Sequence, residues 1–320
     1  LGALLSLFSR LGSGIRASPP RSERVPVGAR VPINVRHCDD QEADDPTPRA
    51  GASVRNVRSE EGVNSDAPAG SRARFVVDAA GKTDPGMRRP SNEDALLVLG
   101  ERGVFVVADG MGGHAGGEVA SQLAVEAVAR SGVDRADSRE YLEVPAGAAQ
   151  LIRSFAAANE AVHAVAAKDG RLSDMGTTVA AARFSADERK LYIGHVGDSR
   201  CYRLRAGVLE QITRDHTMAE LGMRGREAAH LSRAVGLQAV VEVDIAVLEP
   251  RVGDVYPLCT DGLTKMVSNE VIREVLLGHE SSEAAVTQLI ARANAEGGRD
   301  NVTAIVIRVA GGRPTERGNG

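Results

Sequence analysis

One stretch constrains the fold more than any other: Val104 to Ser121, VFVVADGMGGHAGGEVAS. A short apolar run with β propensity, Val104 to Ala108, stops at a single carboxylate, Asp109. Gly110, Gly112, Gly113, Gly116 and Gly117 follow, and then an Ala- and Val-rich helical pattern begins. Glycine lets the backbone take positive φ and pass close to an ion. A carboxylate is a hard oxygen ligand for a divalent cation. Taken alone, the stretch reads equally well as an ordinary strand–loop–helix corner carrying a surface acid.

Other acids stand at similar boundaries. Asp94 precedes the apolar run Ala95 to Leu99, and Asp300 precedes Val302 to Val309. Asp261 follows Val255 to Cys259. Two of these four acids therefore end strands and two begin them. In an antiparallel sheet the end of one strand lies beside the start of its neighbour, so all four are expected at one rim. The remaining candidates have structural readings. Asp198 reads as a turn-stabilising acid in Gly197-Asp198-Ser199, His216 as a loop residue bonding backbone, and His195 as a packed residue of an apolar strand.

The period of the apolar residues sets the order of elements. Arg74 to Val77, Ala95 to Leu99 and Val104 to Ala108 read as strands, with a turn at Asp84-Pro85-Gly86. Gly117 to Arg130 and Pro145 to Lys168 carry helical stripes, the second through Leu151, Ile152, Phe155, Ala158, Val162 and Val165. Thr177 to Phe184, Lys190 to Val196, Arg200 to Arg205 and Val208 to Ile212 read as strands, and Thr213 to Leu237 as loop and short helix. Strands Val241 to Val247 and Asp254 to Cys259 follow, then helices Asn269 to Leu277 and Glu283 to Glu296, then strand Val302 to Val309. This order lacks the strict alternation of a doubly wound sheet. It predicts an α+β fold: a central antiparallel β-sandwich flanked by pairs of α-helices, with the acids at one end.

Residues 1–70 differ from the rest. They hold seven of the 13 prolines and no lysine, and no period persists in them. Such a segment buries too little apolar surface to offset its ordering entropy, so 1–70 is expected to be a disordered tail or linker. A docking or targeting arm is the alternative. Residues 71–310 are expected to form the folded domain and 311–320 a second tail. The chain begins without Met, so its true start is expected elsewhere.

Composition excludes several functions. Aromatics make up 3% with no Trp, which leaves no stacking platform for single-stranded nucleic acid. A net charge of −4 argues against a general nucleic-acid binder. Cys38, Cys201 and Cys259 are far apart and form no CxxC, which argues against a disulfide framework or a standard zinc site. Cys201 and Cys259 are expected to be buried small hydrophobes. No apolar run approaches the roughly 18 residues a membrane span needs. The missing span and the unpaired cysteines favour the cytoplasm.

A carboxylate rim without thiolates or clustered imidazoles favours Mg²⁺ or Mn²⁺ over Zn²⁺. Without cations the acids would repel each other and raise their pKa values. Two divalent ions about 3.5–4 Å apart would offset that repulsion and clamp a phosphoryl group in line with an attacking water. Arg89 supplies a guanidinium fork that matches phosphate oxygens.

The motifs that carry these residues resemble the metal-dependent serine/threonine protein phosphatases of the protein phosphatase 2C (PPM) family, bacterial branch. They are Arg89-x-x-Asn92-Glu93-Asp94, Val107-Ala108-Asp109-Gly110-Met111-Gly112-Gly113-His114 and Met175-Gly176-Thr177-Thr178. Next come His195-Val196-Gly197-Asp198-Ser199-Arg200, Thr213-Arg214-Asp215-His216-Thr217 and Leu231-Ser232-Arg233-Ala234-Val235-Gly236. Thr260-Asp261-Gly262-Leu263 and Gly298-Arg299-Asp300-Asn301-Val302-Thr303 close the set.

The resemblance implies a β-sandwich with two Mn²⁺ or Mg²⁺ ions at one end, and hydrolysis of phosphoserine and phosphothreonine without a covalent phosphoenzyme. It implies Asp109, Asp261, Asp300 and the Gly110 carbonyl as metal ligands, and Asp94 as a ligand or as the residue holding water on the metal. It implies Arg89 on the substrate phosphate, and Asp174 with Asp261 on the third ion that bacterial members often add. Where eukaryotic members carry a proton-donating His, this chain has Met111, and His114 close by is the candidate for that role. Lys265 stands where many relatives place an acid. The expected partners are phosphorylated proteins, serine/threonine kinases and their substrates, with the enzyme a monomer. Two alternatives keep the fold: a catalytically weak phosphoprotein-binding module, and a metal-dependent hydrolase of small phosphoesters.

Overall fold

The computed structural model describes residues 33–37, 75–113, 115–131 and 144–311. Within them the chain forms β1 (Ile33–His37), β2 (Phe75–Asp84), β3 (Asp94–Leu99), β4 (Val104–Met111), α1 (Gly116–Ser131), α2 (Ala146–Ala166), β5 (Gly176–Thr177), β6 (Val179–Phe184) and β7 (Leu191–Val196). It continues with β8 (Arg200–Arg205), β9 (Val208–Gln211), β10 (Val243–Leu248), β11 (Val255–Cys259), α3 (Asp261–Thr264), α4 (Asn269–Gly278), α5 (Ser282–Ala295) and β12 (Val302–Gly311). One sheet runs β1-β10-β7-β6-β4-β3, with β5 also on β4. The other runs β2-β12-β11-β8-β9. Every pairing is antiparallel except β1 on β10, which is parallel. The architecture is the expected α+β sandwich.

Both faces of the inner strands are covered, which is why they read as unbroken apolar runs rather than alternating ones. On β4, Val104, Val106 and Ala108 pack with Ala124, Leu151, Phe155 and Val162 of α1 and α2. Phe105 and Val107 point the other way, toward Leu258, Ile305 and Ile307 of the second sheet. On that sheet, Cys259, Ala304 and Val306 pack with Ile272, Val286 and Leu289 of α4 and α5. The layers are therefore helix pair, sheet, sheet, helix pair. The helices form for local reasons as well. The Ala-rich α2 has high intrinsic propensity, and α5 starts where the Ser281 hydroxyl accepts from the Ala284 amide at 3.1 Å. Cys201 and Cys259 are buried thiols, as expected, and burial pushes the Cys259 thiol up to about 12.

The structure differs from the sequence reading in several places. β2 continues to Asp84, because its whole length pairs with β12 from Gly311 back to Val302. The expected strand Thr177 to Phe184 breaks at Thr178, whose hydroxyl takes the Asp109 amide at 3.0 Å in place of a ladder bond. The single turn α3 is too short to leave a period. Inside the expected tail 1–70, β1 pairs with β10. The edge of β10 supplies the main-chain partners that the segment's own side chains do not specify. Gly311, expected in the second tail, instead ends β12 opposite Phe75, and the remaining expectations for 1–70 and 312–320 lie outside the described residues.

Candidate metal centre

The acids meet where the ends of the two sheets face each other. On the first sheet, Asp94 opens β3 and pairs directly across from Asp109 near the end of β4. On the second, Asp261 starts α3 immediately after β11, and Asp300 stands just ahead of β12, which is paired to β11. A cavity of about 280 Å³ lies among them, lined by Arg89, Asp109, Gly110, Asp198, Asp261 and Asp300, and also by Glu93, Met111 and Asn301. Asp94 sits behind this rim, 8% exposed. Its Oδ2 accepts from the Thr260 hydroxyl at 2.9 Å and the Thr303 hydroxyl at 2.6 Å, so two side chains of the second sheet hold an acid of the first.

The backbone at the site is shaped for close approach. A Cβ on Gly110 would lie 2.0 Å from the Gly117 carbonyl oxygen and 2.6 Å from that of Glu93. Only glycine lets the end of β4, the start of α1 and the segment at Glu93 that leads into β3 crowd together there. Asn301 ties the loop carrying Arg89 to Asp300. Its Oδ1 accepts from the Glu93 amide at 2.9 Å, and its Nδ2 donates to the Pro85 and Ser91 carbonyls at 3.0 and 2.8 Å. Arg89 grips Asp300 with two contacts, Nη2 to Oδ2 at 3.0 Å and Nε to Oδ1 at 2.9 Å.

The electrostatics are those of crowded acids. Burial pushes the Asp94 carboxyl up to about 7, helped by Asp261 and Asp300 and opposed by the two threonine hydroxyls. Burial and then the charges of Asp94, Asp261 and Asp198 hold Asp109 well above the carboxylate range. Asp198 is pushed up to about 6 by burial and by Asp261. Meanwhile Asp94 Oδ1 and Asp261 Oδ1 are buried with no hydrogen-bond partner. Buried acceptors without donors, in an all-oxygen set of clustered carboxylates, fit a hard divalent cation such as Mg²⁺ or Mn²⁺. Lys265 Nζ contacts Asp261 Oδ2 and supplies a single positive charge there.

The candidates divide as follows. Arg89, Asp109, Gly110, Asp261 and Asp300 line the cavity, with Asp94 behind them. Asp174 is exposed and stands beside the Gly112–Gly113 turn, outside the lining. His114 lies outside the described residues. Asp198, read as a turn acid, lines the cavity instead. It shares with the others a place at a strand boundary, and with Asp109 and Asp261 an adjacent glycine, and that signal marks it. His195 and His216 are buried, and His216 does accept from backbone, the Gly197 amide, at 3.2 Å. Thr260, Thr303 and the side chain of Asn301 position the site without any pattern that marks them as positioning residues.

Residues 88–306 match the family described as Protein phosphatase 2C. The chain is 40% identical over 250 residues to the serine/threonine protein phosphatase PstP of Mycobacterium tuberculosis. That match covers 74% of this chain and 46% of PstP, so the chain spans about half the length of that relative. It is 32% identical over 240 residues to the serine/threonine phosphatase stp of Listeria monocytogenes, covering 71% of this chain and 93% of that one. Among solved structures, the catalytic domain of PstP in complex with two manganese ions superposes with a TM-score of 0.64 at 36% identity, over 74% of this chain and 100% of that one.

Proposed function

The chain belongs to the protein phosphatase 2C family, and from that premise we propose that it hydrolyses phosphoserine and phosphothreonine in proteins at a centre of two Mn²⁺ or Mg²⁺ ions. The observation that carries this reading is the pair of buried, unsatisfied carboxylate oxygens on Asp94 and Asp261, from opposite sheets, beside Asp109 and Asp198, whose carboxyls, like that of Asp94, are pushed up by burial. Such a cluster is costly without cations and favourable with them.

In this reading Asp109, Asp261 and Asp300, with the Gly110 carbonyl, hold the ions, and Asp94 ligates or holds water against them. Bound divalent ions supply Lewis acidity that activates water and balances phosphate charge. Arg89 stands at the cavity edge, oriented by Asp300, with side-chain exposure of 49% to meet a phosphate. Asp300 thus aims the guanidinium while leaving part of its donor fork for substrate. Asp174 would join Asp261 on a third ion, and His114 would give a proton to the departing alcohol. The cavity has room for a phosphorylated side chain rather than a peptide, which leaves flanking sequence on the rim. The partners we infer are serine/threonine kinases and their substrates, met by a cytoplasmic monomer. No helix of the described residues is long and apolar enough to cross a membrane.

The test is phosphate release from a phosphothreonine peptide with Mn²⁺, with Mg²⁺, with EDTA, and for Asp261→Asn. Release requires the metal and falls by roughly 100-fold or more in the variant. Well-folded wild-type protein without metal-dependent release would overturn the catalytic reading.

A further inference from the structure

The connection between β9 and β10 is more built than a surface loop requires. Its limbs pair with each other: Thr217 bridges Leu231, the Met218 amide donates to the His230 carbonyl at 2.8 Å, and the Ala219 amide to the Ala228 carbonyl at 2.8 Å. Ala229 and Leu231 of this hairpin line the acid-rimmed cavity. That cavity takes a phosphorylated side chain, so the rest of a protein substrate must lie on the rim that the hairpin forms. The height of the hairpin therefore matters for phosphoproteins and little for small phosphoesters.

A single buried carboxylate holds both limbs at their base. Asp244, on β10, is 6% exposed. Arg233 Nη1, at the foot of the second limb, donates to its Oδ1 at 2.8 Å. His216 Nε2, at the foot of the first, lies 3.4 Å from its Oδ2. His216 Nδ1 accepts from the Gly197 amide, which leaves Nε2 as the nitrogen that carries a proton toward Asp244. Since that buried Nε2 has no hydrogen-bond partner, its hold on the carboxylate is an electrostatic contact. The two feet also meet directly, the Ser232 amide donating to the His216 carbonyl at 2.9 Å. Arg36 of β1 approaches Oδ2 at 3.8 Å, so the edge strand adds a second guanidinium. Burial works to raise the Asp244 pKa, yet His216 and Arg233 outweigh it and keep the carboxylate ionised.

His195, His216 and Asp244 together have the composition of a metal site. Their geometry argues otherwise. The imidazoles stack, with centroids 4.5 Å apart and planes 25° apart, so their in-plane lone pairs run side by side instead of converging. His195 Nε2 is already engaged by the Arg214 carbonyl at 2.7 Å. The guanidinium groups on Asp244 supply the charge a cation would.

We propose that Asp244 is a positioning residue, which clasps His216 and Arg233 and so sets the hairpin at the height that binds protein-sized phosphosubstrates. The inference rests on the phosphatase reading for its substrate and on the hairpin geometry for its mechanism. The test compares the full chain with Asp244→Asn and Arg233→Gln, with Mn²⁺ present, on a phosphothreonine peptide and on p-nitrophenyl phosphate. The KM for the peptide rises by about tenfold, the scale of losing a charged hydrogen bond, with kcat within about twofold. Both constants for p-nitrophenyl phosphate stay unchanged, and amide exchange across 217–231 accelerates while β7 and β10 keep their protection. Equal losses on both substrates, or an unchanged peptide KM with unchanged exchange, overturn the proposal. If Asp244→Asn does not fold, Arg233→Gln at its partly exposed position decides alone. Should wild-type protein hydrolyse neither substrate, the phosphatase reading fails, and the exchange measurement still decides whether Asp244 positions the hairpin.

Discussion

At the scale of single residues, the site is a set of acids held where they repel. Asp94 is the clearest case, because its environment disfavours its charge and leaves one of its oxygens without a donor. The threonine hydroxyls satisfy Oδ2, while Oδ1 faces no donor. Burial pushes its carboxyl up to about 7 in the metal-free protein, from about 3.8 in the unfolded chain. Between those values the folded state holds a proton that the unfolded state has lost, so stability falls as pH rises through the window. In EDTA, the Tm is expected to drop by roughly 5 °C or more from pH 5 to pH 8. Asp94→Asn flattens that slope, and thermal denaturation followed at several pH values checks both. A slope that persists unchanged in the variant would assign the effect to other groups. The acids themselves were legible in the sequence because each sits where an apolar run begins or ends. Asn301 was legible only as a motif letter, since its amide reaches the Pro85 and Ser91 carbonyls far away in the chain.

At the scale of elements, the site depends on how closely strand ends approach helix starts. Gly110, the last residue but one of β4, packs against the first turn of α1 and is hydrogen-bonded through its amide to the Glu93 carbonyl at 3.1 Å. A methyl group there meets the Gly117 and Glu93 carbonyl oxygens, which are backbone and cannot swing aside. Gly110→Ala is therefore expected to destabilise the fold by about 3 kcal/mol or more, in the range of overpacking and strain. It should also weaken Mn²⁺ binding, because it moves Asp109. Chemical denaturation and calorimetric titration with Mn²⁺ test this, and a variant as stable as wild type would show that the corner relaxes freely. The glycine run in the sequence announced a tight turn. It did not say which glycine is required, because that depends on which backbone comes to lie alongside. The same limit applies to β1, whose strand character comes from the exposed edge of β10 rather than from its own pattern.

At the scale of the whole molecule, the acids on separate sheets make metal binding and folding one equilibrium. Ions that bind only the folded state stabilise it in proportion to ligand excess, by about 2.7 kcal/mol at a hundredfold excess over Kd. Mn²⁺ is expected to raise the Tm by several degrees, more at pH 8 than at pH 5, since protons compete for the same carboxylates. Calorimetric scans with Mn²⁺ and with EDTA check it, and an equal rise at both pH values would point to ions bound elsewhere. The sequence by itself determined most of the element order, with β1, α3 and the break at Thr178 as exceptions, together with the sandwich, its helix pairs and the acids that line the cavity. Those follow from local period and from residue type at strand boundaries, which need no knowledge of distant partners. Only the tertiary structure decided that Asp198 faces the cavity, that Asp174 stands outside it, and that Thr260 and Thr303 brace Asp94 across the sheets. It also decided that Asp244 accepts from Arg233 and faces His216, the residues at the two feet of the hairpin. Each of these is a contact between segments far apart in the chain, set by the packing of one sheet on the other and the pairing of distant strands, and neither period nor composition encodes which side chains that packing brings face to face.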